Sequence, residues 1–182
     1  MTITYNGDNY FKLQTSKTSV LIDPTNQRSF KGAELILNTL SPATTKPLQT
    51  DETFWIEHQG EYETKNVYIH GWSVGQEDKK EKTVYQLIID DMNIIVLGYL
   101  AKEPSAEIQT TFKSADILLG PSTVMKWIKK LEPSLIIPAL SGVSLKEFLN
   151  EFNQESCPSE KKLLIKKKDL IPSKMLIQCL SN

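Results

Sequence analysis

Histidine and cysteine are both scarce in this sequence, and their scarcity limits the metal chemistry available to it. The 182 residues include two histidines, His58 and His70, and two cysteines, Cys157 and Cys179. A zinc site needs about three or four ligands, most of them nitrogen or sulfur, so a conventional zinc enzyme is disfavoured. In a chain of cytosolic character, two cysteines are expected to stay free thiols, and a disulfide or a zinc pair is disfavoured.

Long hydrophobic runs and an excess of one charge are also missing. No apolar run approaches the roughly 20 residues of a membrane span. The first residues carry neither the basic nor the apolar segment of a signal peptide, so a cytoplasmic protein with no membrane association is expected. The net charge is −1, which gives no general attraction to nucleic acid or to an anionic membrane.

The composition that remains is that of an ordinary globular protein. Hydrophobic residues make up 40% of the chain and charged residues 24%, and the length allows a sizeable hydrophobic core. No Gly-rich or Pro-rich linker divides the sequence. We therefore predict a single domain over residues 1–182.

The first half of the chain consists of short apolar runs separated by turn signals, a pattern typical of β-strands. Residues 39–53, rich in Thr, Pro and Ser, are expected to form a long surface connection, and residues 71–82 a polar, flexible loop. The predicted strands of this half span residues 2–5, 9–14, 19–22, 34–37, 54–57, 66–70, 83–89 and 92–97.

After Gly98 the pattern changes, because helical periodicity alternates with short buried runs. Helices are predicted at residues 104–112, 122–131 and 144–152, the last with Ser144 and Glu147 in a capping box. Strands are predicted at residues 117–119, 135–137, 163–165 and 175–179. Strands first and then alternating strands and helices predict a four-layer α/β fold, in which helices flank two packed sheets.

Six short motifs occur in an order that is known from one family. They are Ile3-Thr4-Tyr5-Asn6-Gly7-Asp8, L-I-D-P at 21–24, a loop at 39–45, G-E-Y-E at 60–63, V-L-G-Y-L at 96–100 and I-P-A-L at 137–140. Together they resemble the metallo-β-lactamase fold superfamily, specifically its small bacterial branch of metal-dependent hydrolase-like proteins. The resemblance implies an αββα sandwich of two mixed β-sheets flanked by helices.

The metal ligands of that family are missing from the matching positions. The family has a His after the opening Gly, T-H-x-H-x-D-H in the loop, H-L-G-D-L after the hairpin and I-P-M-H in the late strand. Leu and Pro cannot coordinate a metal, and Thr hydroxyls are poor ligands for zinc. We therefore expect no metal and no cofactor, and a vestigial cleft at the matching positions, which are Asp8, Leu40, Pro42, Thr44, Thr45, Tyr99 and Leu140.

A retained fold with lost ligands predicts a catalytically inactive homologue, a pseudo-hydrolase that acts by binding. The bound species would be a protein partner, a second copy of the chain or a small ligand in the cleft. One alternative is a divergent hydrolase with a relocated metal or acid/base site. Its candidate residues are Asp8, Asp23, His58, His70 and Glu61, for which turn-capping aspartates and surface histidines are the simpler interpretation.

A weaker alternative is an RNA-associated module, suggested by lysine-rich stretches in the second half. Acidic residues offset these lysines, and the interleaving of basic and aromatic residues typical of nucleic-acid binding is missing. Solvated faces of helices and strands are the simpler interpretation. The lysines are Lys126, Lys129, Lys130, Lys161, Lys162, Lys166, Lys167 and Lys168.

Overall fold

The computed structural model of the chain describes residues 1–26, 30, 32–46, 53–112, 114–121, 123–140 and 145–181. The helices in these ranges are α1 Ala106–Thr111, α2 Met125–Leu131 and α3 Leu145–Glu151, with a 3₁₀ turn at Lys167–Asp169. The strands are β1 Thr2–Tyr5, β2 Phe11–Gln14, β3 Ser19–Ile22, β4 Leu35–Leu37, β5 Leu40–Ser41, β6 Phe54–Ile56, β7 Gly60–Thr64, β8 Val67–Glu77, β9 Lys80–Ile89, β10 Met92–Val96, β11 Ile117–Pro121, β12 Leu135–Ala139, β13 Ser159–Glu160, β14 Leu163–Leu164, β15 Leu176–Ile177 and β16 Cys179–Leu180.

Two mixed sheets form the framework of the molecule. The first sheet has the order β14-β1-β2-β3-β4-β6, and the second has the order β15-β12-β11-β10-β9-β8-β7, with β5 paired to β9. In the first sheet β2 and β3 are antiparallel, whereas β3 and β4 are parallel. In the second sheet β9 and β10 are antiparallel, whereas β10 and β11 are parallel. The predicted fold class, two mixed sheets with flanking helices, is confirmed.

The core is organised by the alternation of side chains across each strand. One set of alternate residues, including Val20 and Ile22 of the first sheet and Ile94 and Val96 of the second, meets in a single buried cluster between the sheets. The opposite face of the second sheet packs against residues of all three α-helices. The opposite face of the first sheet is covered by Tyr10, Phe30 and Trp55. Among the described residues, the helices therefore lie against the second sheet.

The predicted loop at residues 71–82 is wrong, because these residues extend β8 and β9 into a long hairpin. The pairing continues from Trp72 opposite Val84 to Glu77 opposite Lys80, with an irregularity between Ser73 and Gly75. Both residues of the hairpin turn have positive φ, 50° at Asp78 and 65° at Lys79, which matches a tight two-residue turn. Backbone pairing sustains the polar outer end of this hairpin, while Trp72 and Val74, at alternate positions of β8, pack against the cluster on the helix side of the second sheet.

Two further segments that lie outside the predicted strands also form strands. The G-E-Y-E residues lie in β7, which pairs with β8, and the predicted connection at residues 39–53 contains β5, which pairs with β9. Helix α2 begins at Met125, three residues later than predicted, and buries Trp127, Ile128 and Leu131. The predicted Ser144 cap lies outside the described residues.

The prediction of free thiols is wrong, because Cys157 and Cys179 form a disulfide. Strand β13 pairs with β16, with Ser159 opposite Cys179, and this pairing brings the two Cα atoms to 5.8 Å. That distance lies within the range of disulfides. In the described part of the chain, no helix is long and apolar enough to cross a bilayer.

Candidate functional site

A cleft with a volume of about 140 Å³ lies where the turns at the ends of both sheets meet. The first sheet contributes the turns that follow β1, β3 and β4, and the second contributes β5 and the turn that follows β10. The residues that line the cleft are Asp8, Asp23, Pro24, Thr25, Asn38, Leu40, Ala43, Thr44, Thr45 and Tyr99. Polar side chains and apolar side chains therefore share one small opening.

Asp23 is a buried carboxyl that is held in place by Thr39. The Thr39 backbone N–H donates to Oδ1 of Asp23 at 2.7 Å, and the Thr39 hydroxyl donates to Oδ2 at 2.5 Å. Burial raises the pKa of Asp23 to about 7; the two Thr39 hydrogen bonds oppose this shift and the charge of Asp8 adds to it. Asp23 is thus poised between its neutral and charged forms near neutral pH.

Gly98 lies directly behind this pair. Its φ of 56° is in the left-handed region, which favours glycine. A Cβ built on Gly98 would overlap the Oγ1 and Cβ atoms of Thr39. The glycine at this position therefore lets Thr39 reach Asp23, which explains why the turn after β10 contains one.

Tyr99 joins the two sheets across the mouth of the cleft. Its hydroxyl donates to Oδ2 of Asp8 at 2.5 Å, although the two residues are 91 positions apart. Burial raises the pKa of Tyr99, and the hydrogen bond to Asp8 acts in the same direction. The phenol therefore stays protonated at neutral pH and acts as a hydrogen-bond donor, while the Tyr5 hydroxyl binds the backbone oxygen of Asp8 at 2.8 Å.

Asn38 is the lining residue with an unsatisfied polar atom. Its side chain is 4% exposed, and its Nδ2 has no hydrogen-bond partner within the described residues. Its backbone is fully paired, because its N–H donates to Ile56 and its carbonyl accepts from the Tyr85 hydroxyl. Buried polar atoms are usually paired, so the Nδ2 of Asn38, which has almost no accessible surface, is an exception inside the fold.

The structure brings together five of the seven positions predicted for the vestigial cleft. Asp8, Leu40, Thr44, Thr45 and Tyr99 are lining residues. Pro42 is an exposed residue of the same loop, and Leu140, which follows β12, is 37% exposed; neither lines this cleft.

Sequence reasoning missed Pro24, Thr25, Asn38 and Ala43 as lining residues. The available signal for Asn38 was its position directly after the buried run at 35–37. Residues that follow buried strands collect at one end of a sheet, where binding sites often form.

The residues of the relocated-site alternative are dispersed. Asp8 and Asp23 line the cleft. Exposed His58 contacts Glu81 at 3.4 Å, and His70 contacts Glu61 at 3.6 Å while its ring stacks on Trp72 at 3.8 Å. Across the described residues, no three His, Cys, Asp or Glu side chains group in a way that could hold a metal.

The lysine-rich stretches are partly engaged in ion pairs on the surface. Lys129 contacts Glu151 at 2.7 Å, Lys130 lies 3.9 Å from Glu103, and Lys167 contacts Asp116. These pairs reduce the local positive charge, which is consistent with solvated faces of the fold. RNA association remains a prediction that this geometry does not favour.

The cleft does not fit the metal site that the resemblance implies. The two carboxyl groups among its described lining residues are already bound, Asp8 by Tyr99 and Asp23 by Thr39. The other lining residues offer hydroxyl, amide or hydrocarbon groups, and zinc sites are built mainly from imidazole, thiolate and carboxylate. We therefore derive no chemical step that passes through a metal.

Comparisons with known proteins agree on the fold. No curated protein matches the chain. Three similar solved structures are a candidate zinc-dependent hydrolase of the metallo-β-lactamase superfamily from Thermotoga maritima (17% identity, TM-score 0.75, 98% of this chain and 97% of that chain); the metallo-β-lactamase fold protein YhfI from Bacillus subtilis (7%, 0.64, 99% and 95%); and a candidate metal-dependent hydrolase from Parabacteroides distasonis (12%, 0.62, 97% and 91%).

These low sequence identities support a shared fold, but they do not support a shared activity or substrate. The family assignment rests on a sequence match: the family model of the beta-lactamase superfamily domain matches residues 2–140. That range covers β1 to β12 and includes all the described residues that line the cleft. The chain therefore belongs to the beta-lactamase superfamily.

Proposed function

We propose that the protein is a catalytically inactive member of this superfamily, and that its cleft binds a small ligand without hydrolysing it. The observation that carries the proposal is the set of side chains in the cleft. Leu40, Thr44, Thr45 and Tyr99 line it at positions that match metal ligands of the family. Hydrolysis by this family depends on a metal-activated water, and these side chains cannot supply the ligands for one.

The two carboxyl groups do not replace the missing ligands. Asp8 and Asp23 are each engaged in a short hydrogen bond. A metal ion would have to break these bonds and would still lack the further nitrogen or oxygen ligands of a catalytic site. The arrangement favours a role in which the carboxyl groups hold structure and contact a ligand.

An open cleft supports ligand binding over a purely structural role. A lost active site could fill with large side chains, whereas this one retains about 140 Å³. Its walls combine apolar surface from Pro24, Leu40 and Ala43 with hydroxyl and carboxyl groups, a mixture typical of small-molecule sites. A protein partner or a second copy of the chain remains the other form of the binding hypothesis.

The proposal is tested by measuring metal content and hydrolysis on the same preparation. The protein is made without a metal-binding tag in medium supplemented with zinc, manganese and iron, and then analysed by inductively coupled plasma mass spectrometry. It is assayed against β-lactam, thioester, carboxylate-ester and phosphodiester substrates. We expect clearly substoichiometric metal and no hydrolysis above the buffer rate. One equivalent of tightly bound metal, with hydrolysis that chelation abolishes, would refute the proposal.

Any hydrolysis found in that assay is assigned with matched variants. Asp8→Asn removes a lining carboxylate, whereas His58→Gln and His70→Gln remove the two imidazoles outside the cleft. Loss of activity in Asp8→Asn would support the divergent hydrolase in the cleft. Loss in either histidine variant would support a relocated site on the hairpins.

A further inference from the structure

We propose that the outer surface of the first sheet, at its β14-β1-β2 side, docks on an anionic lipid bilayer. This surface, called the basic face below, presents Thr2, Lys12, Gln14, Lys162, Leu164 and Lys166. The proposal does not depend on the function proposed for the cleft, because the two share none of the described lining residues. It rests on strand register, one exposed leucine and three lysines.

Strand register places Leu164 on the basic face. Leu164 lies opposite Thr2, and Thr2 lies opposite Gln14. Leu163 and Ile165, its neighbours in sequence, pack inward against the core between the sheets. Because side chains alternate along an extended chain, Leu164 points outward, and it is 70% exposed. A folded strand therefore holds an aliphatic side chain in solvent, where a nonpolar phase can receive it.

Three lysines share this face with Leu164. Lys162 and Lys166 are exposed and lie two positions before and two positions after it, which the alternation of an extended chain directs outward. The backbone of Lys166 is extended, with φ of −122° and ψ of 154°. Lys12 lies on β2, two positions from Gln14 and on the same side of that strand.

The charge of these lysines is largely uncompensated. None of the three forms an ion pair with another described residue, and strands β1, β2 and β14 contain no Asp or Glu. Nearby Asp169 accepts the backbone N–H of Lys166 at 2.9 Å. The basic face therefore concentrates positive charge, although the net charge of the whole chain is −1.

The basic face is uncovered by the described residues. Residues of all three α-helices pack against the second sheet. The apolar cluster on the outer side of the first sheet includes Leu21 of β3 and Ile36 of β4, but no residue of β1, β2 or β14. These three strands therefore present a flat surface to which a partner has access.

A bilayer fits this surface better than a nucleic acid or a protein does. Each lysine near an anionic membrane adds attraction, and Leu164 can enter the boundary between headgroups and acyl chains. Single-stranded nucleic acid is held by aromatic side chains that stack on bases, and the basic face presents none. A stable protein interface buries about 800 Å² per partner around an apolar centre, whereas Leu164 is the one large apolar member of this face.

The expectation of no membrane association rested on the missing membrane span and on the net charge. Neither describes a local surface that lies on a bilayer without crossing it. The test is co-sedimentation of the full chain with vesicles of phosphatidylcholine alone and of phosphatidylcholine mixed with phosphatidylglycerol. We expect binding to the anionic vesicles to be at least about tenfold tighter, and to weaken as salt screens the lysines. Equal binding to both vesicles, or none at low salt, would overturn the proposal.

Two double variants locate the charge. Lys162→Gln with Lys166→Gln removes two charges from the basic face, and Lys126→Gln with Lys146→Gln removes two from exposed positions on α2 and α3. The first should weaken binding to anionic vesicles by about tenfold or more, and the second by about twofold or less. Equal losses would show that the overall charge acts without a defined face, which would contradict the proposal.

Leu164→Gln tests the apolar contact. It should weaken binding by about fivefold at every salt concentration, because the lost contact is not electrostatic. Unchanged binding would contradict the orientation proposed here. Titration with polyuridylate and light scattering without lipid are the remaining measurements. Binding of this RNA, or self-association, that depends on Lys162 and Lys166 while vesicles are not bound would assign the face to another partner and overturn the proposal.

Discussion

A buried carboxyl group such as Asp23 is stable only when its proton or its hydrogen bonds compensate for lost hydration. Thr39 supplies two hydrogen bonds to it, and Gly98 provides the space that Thr39 needs. Even so, burial dominates and the pKa rises to about 7. The charge state of one residue therefore depends on a threonine and a glycine from two other turns.

This raised pKa predicts a pH-dependent stability that Asp23→Asn removes. The folded pKa of about 7 lies above the ordinary value of 3.8 for an aspartate, so the native state binds the proton more tightly. The stabilisation is complete below about pH 4 and is lost as the pH rises through 7. At 1.36 kcal/mol per pKa unit, the free energy of unfolding should fall by roughly 3 kcal/mol between about pH 5 and pH 8. Urea denaturation across this range measures it.

Asparagine resembles the protonated carboxyl, because it keeps one acceptor and one donor but carries no charge. The Asp23→Asn variant should therefore lose most of this pH dependence. Asp91→Asn, in an exposed turn, is the control and should retain the wild-type slope. Identical slopes in Asp23→Asn and wild type would show that Asp23 does not titrate in this range.

At the scale of elements, β9 links the two sheets through Tyr85. The single proton of its hydroxyl is shared between the backbone oxygens of Asn38, after β4, and His58, before β7, each at 3.2 Å. Gly71 on the neighbouring strand makes room for the ring, because a Cβ there would lie 2.6 Å from Cε1 of Tyr85. The pairing of β8 with β9 thus positions a cross-link that also supports the backbone of Asn38 in the cleft.

Tyr85→Phe should lower the free energy of unfolding by about 1–2 kcal/mol, because the buried carbonyl group of Asn38 loses its side-chain donor. Tyr68→Phe is the matched control, since Tyr68 lies on the adjacent strand β8 and is 40% exposed. That control should change stability by less than about 0.5 kcal/mol. Chemical denaturation of both variants measures the difference, and equal effects would contradict the assigned link.

Strands that alternate apolar residues were predictable, and strands that project beyond the core were not. β1 and β3 begin and end where the sequence patterns predict, because each buries residues against the core. The outer part of the β8–β9 hairpin is mostly polar, and β9 there also pairs with β5 at Lys82 and Glu81. Backbone pairing holds this outer part, and backbone pairing imposes no period on the side chains.

For the whole molecule, the disulfide ties the last strands to the segment that follows α3. Cys157 and Cys179 are separated by 22 residues, and closing a loop of that length stabilises a fold by roughly 3 kcal/mol in the chain-entropy model. Reduction should lower the free energy of unfolding by about that amount. Denaturation with and without a phosphine reductant measures the change.

The double variant Cys157→Ser and Cys179→Ser is the control for that measurement. Its stability should match that of the reduced wild-type protein and should not respond to the reductant. A wild-type protein whose stability is unchanged by reduction would show that the bond contributes no stability.

The sequence by itself determined the family, because motif order is a property of the chain, and it predicts the loss of the metal ligands from side-chain identity. The alternation of apolar residues likewise determined most strands of the core. Only the tertiary structure decided which positions share the cleft, since Asp8 and Tyr99 meet across 91 positions. It also decided the proton affinity of Asp23, the unpaired Asn38 and the disulfide. Burial and long-range pairing set all three, and neither is a local property of the sequence.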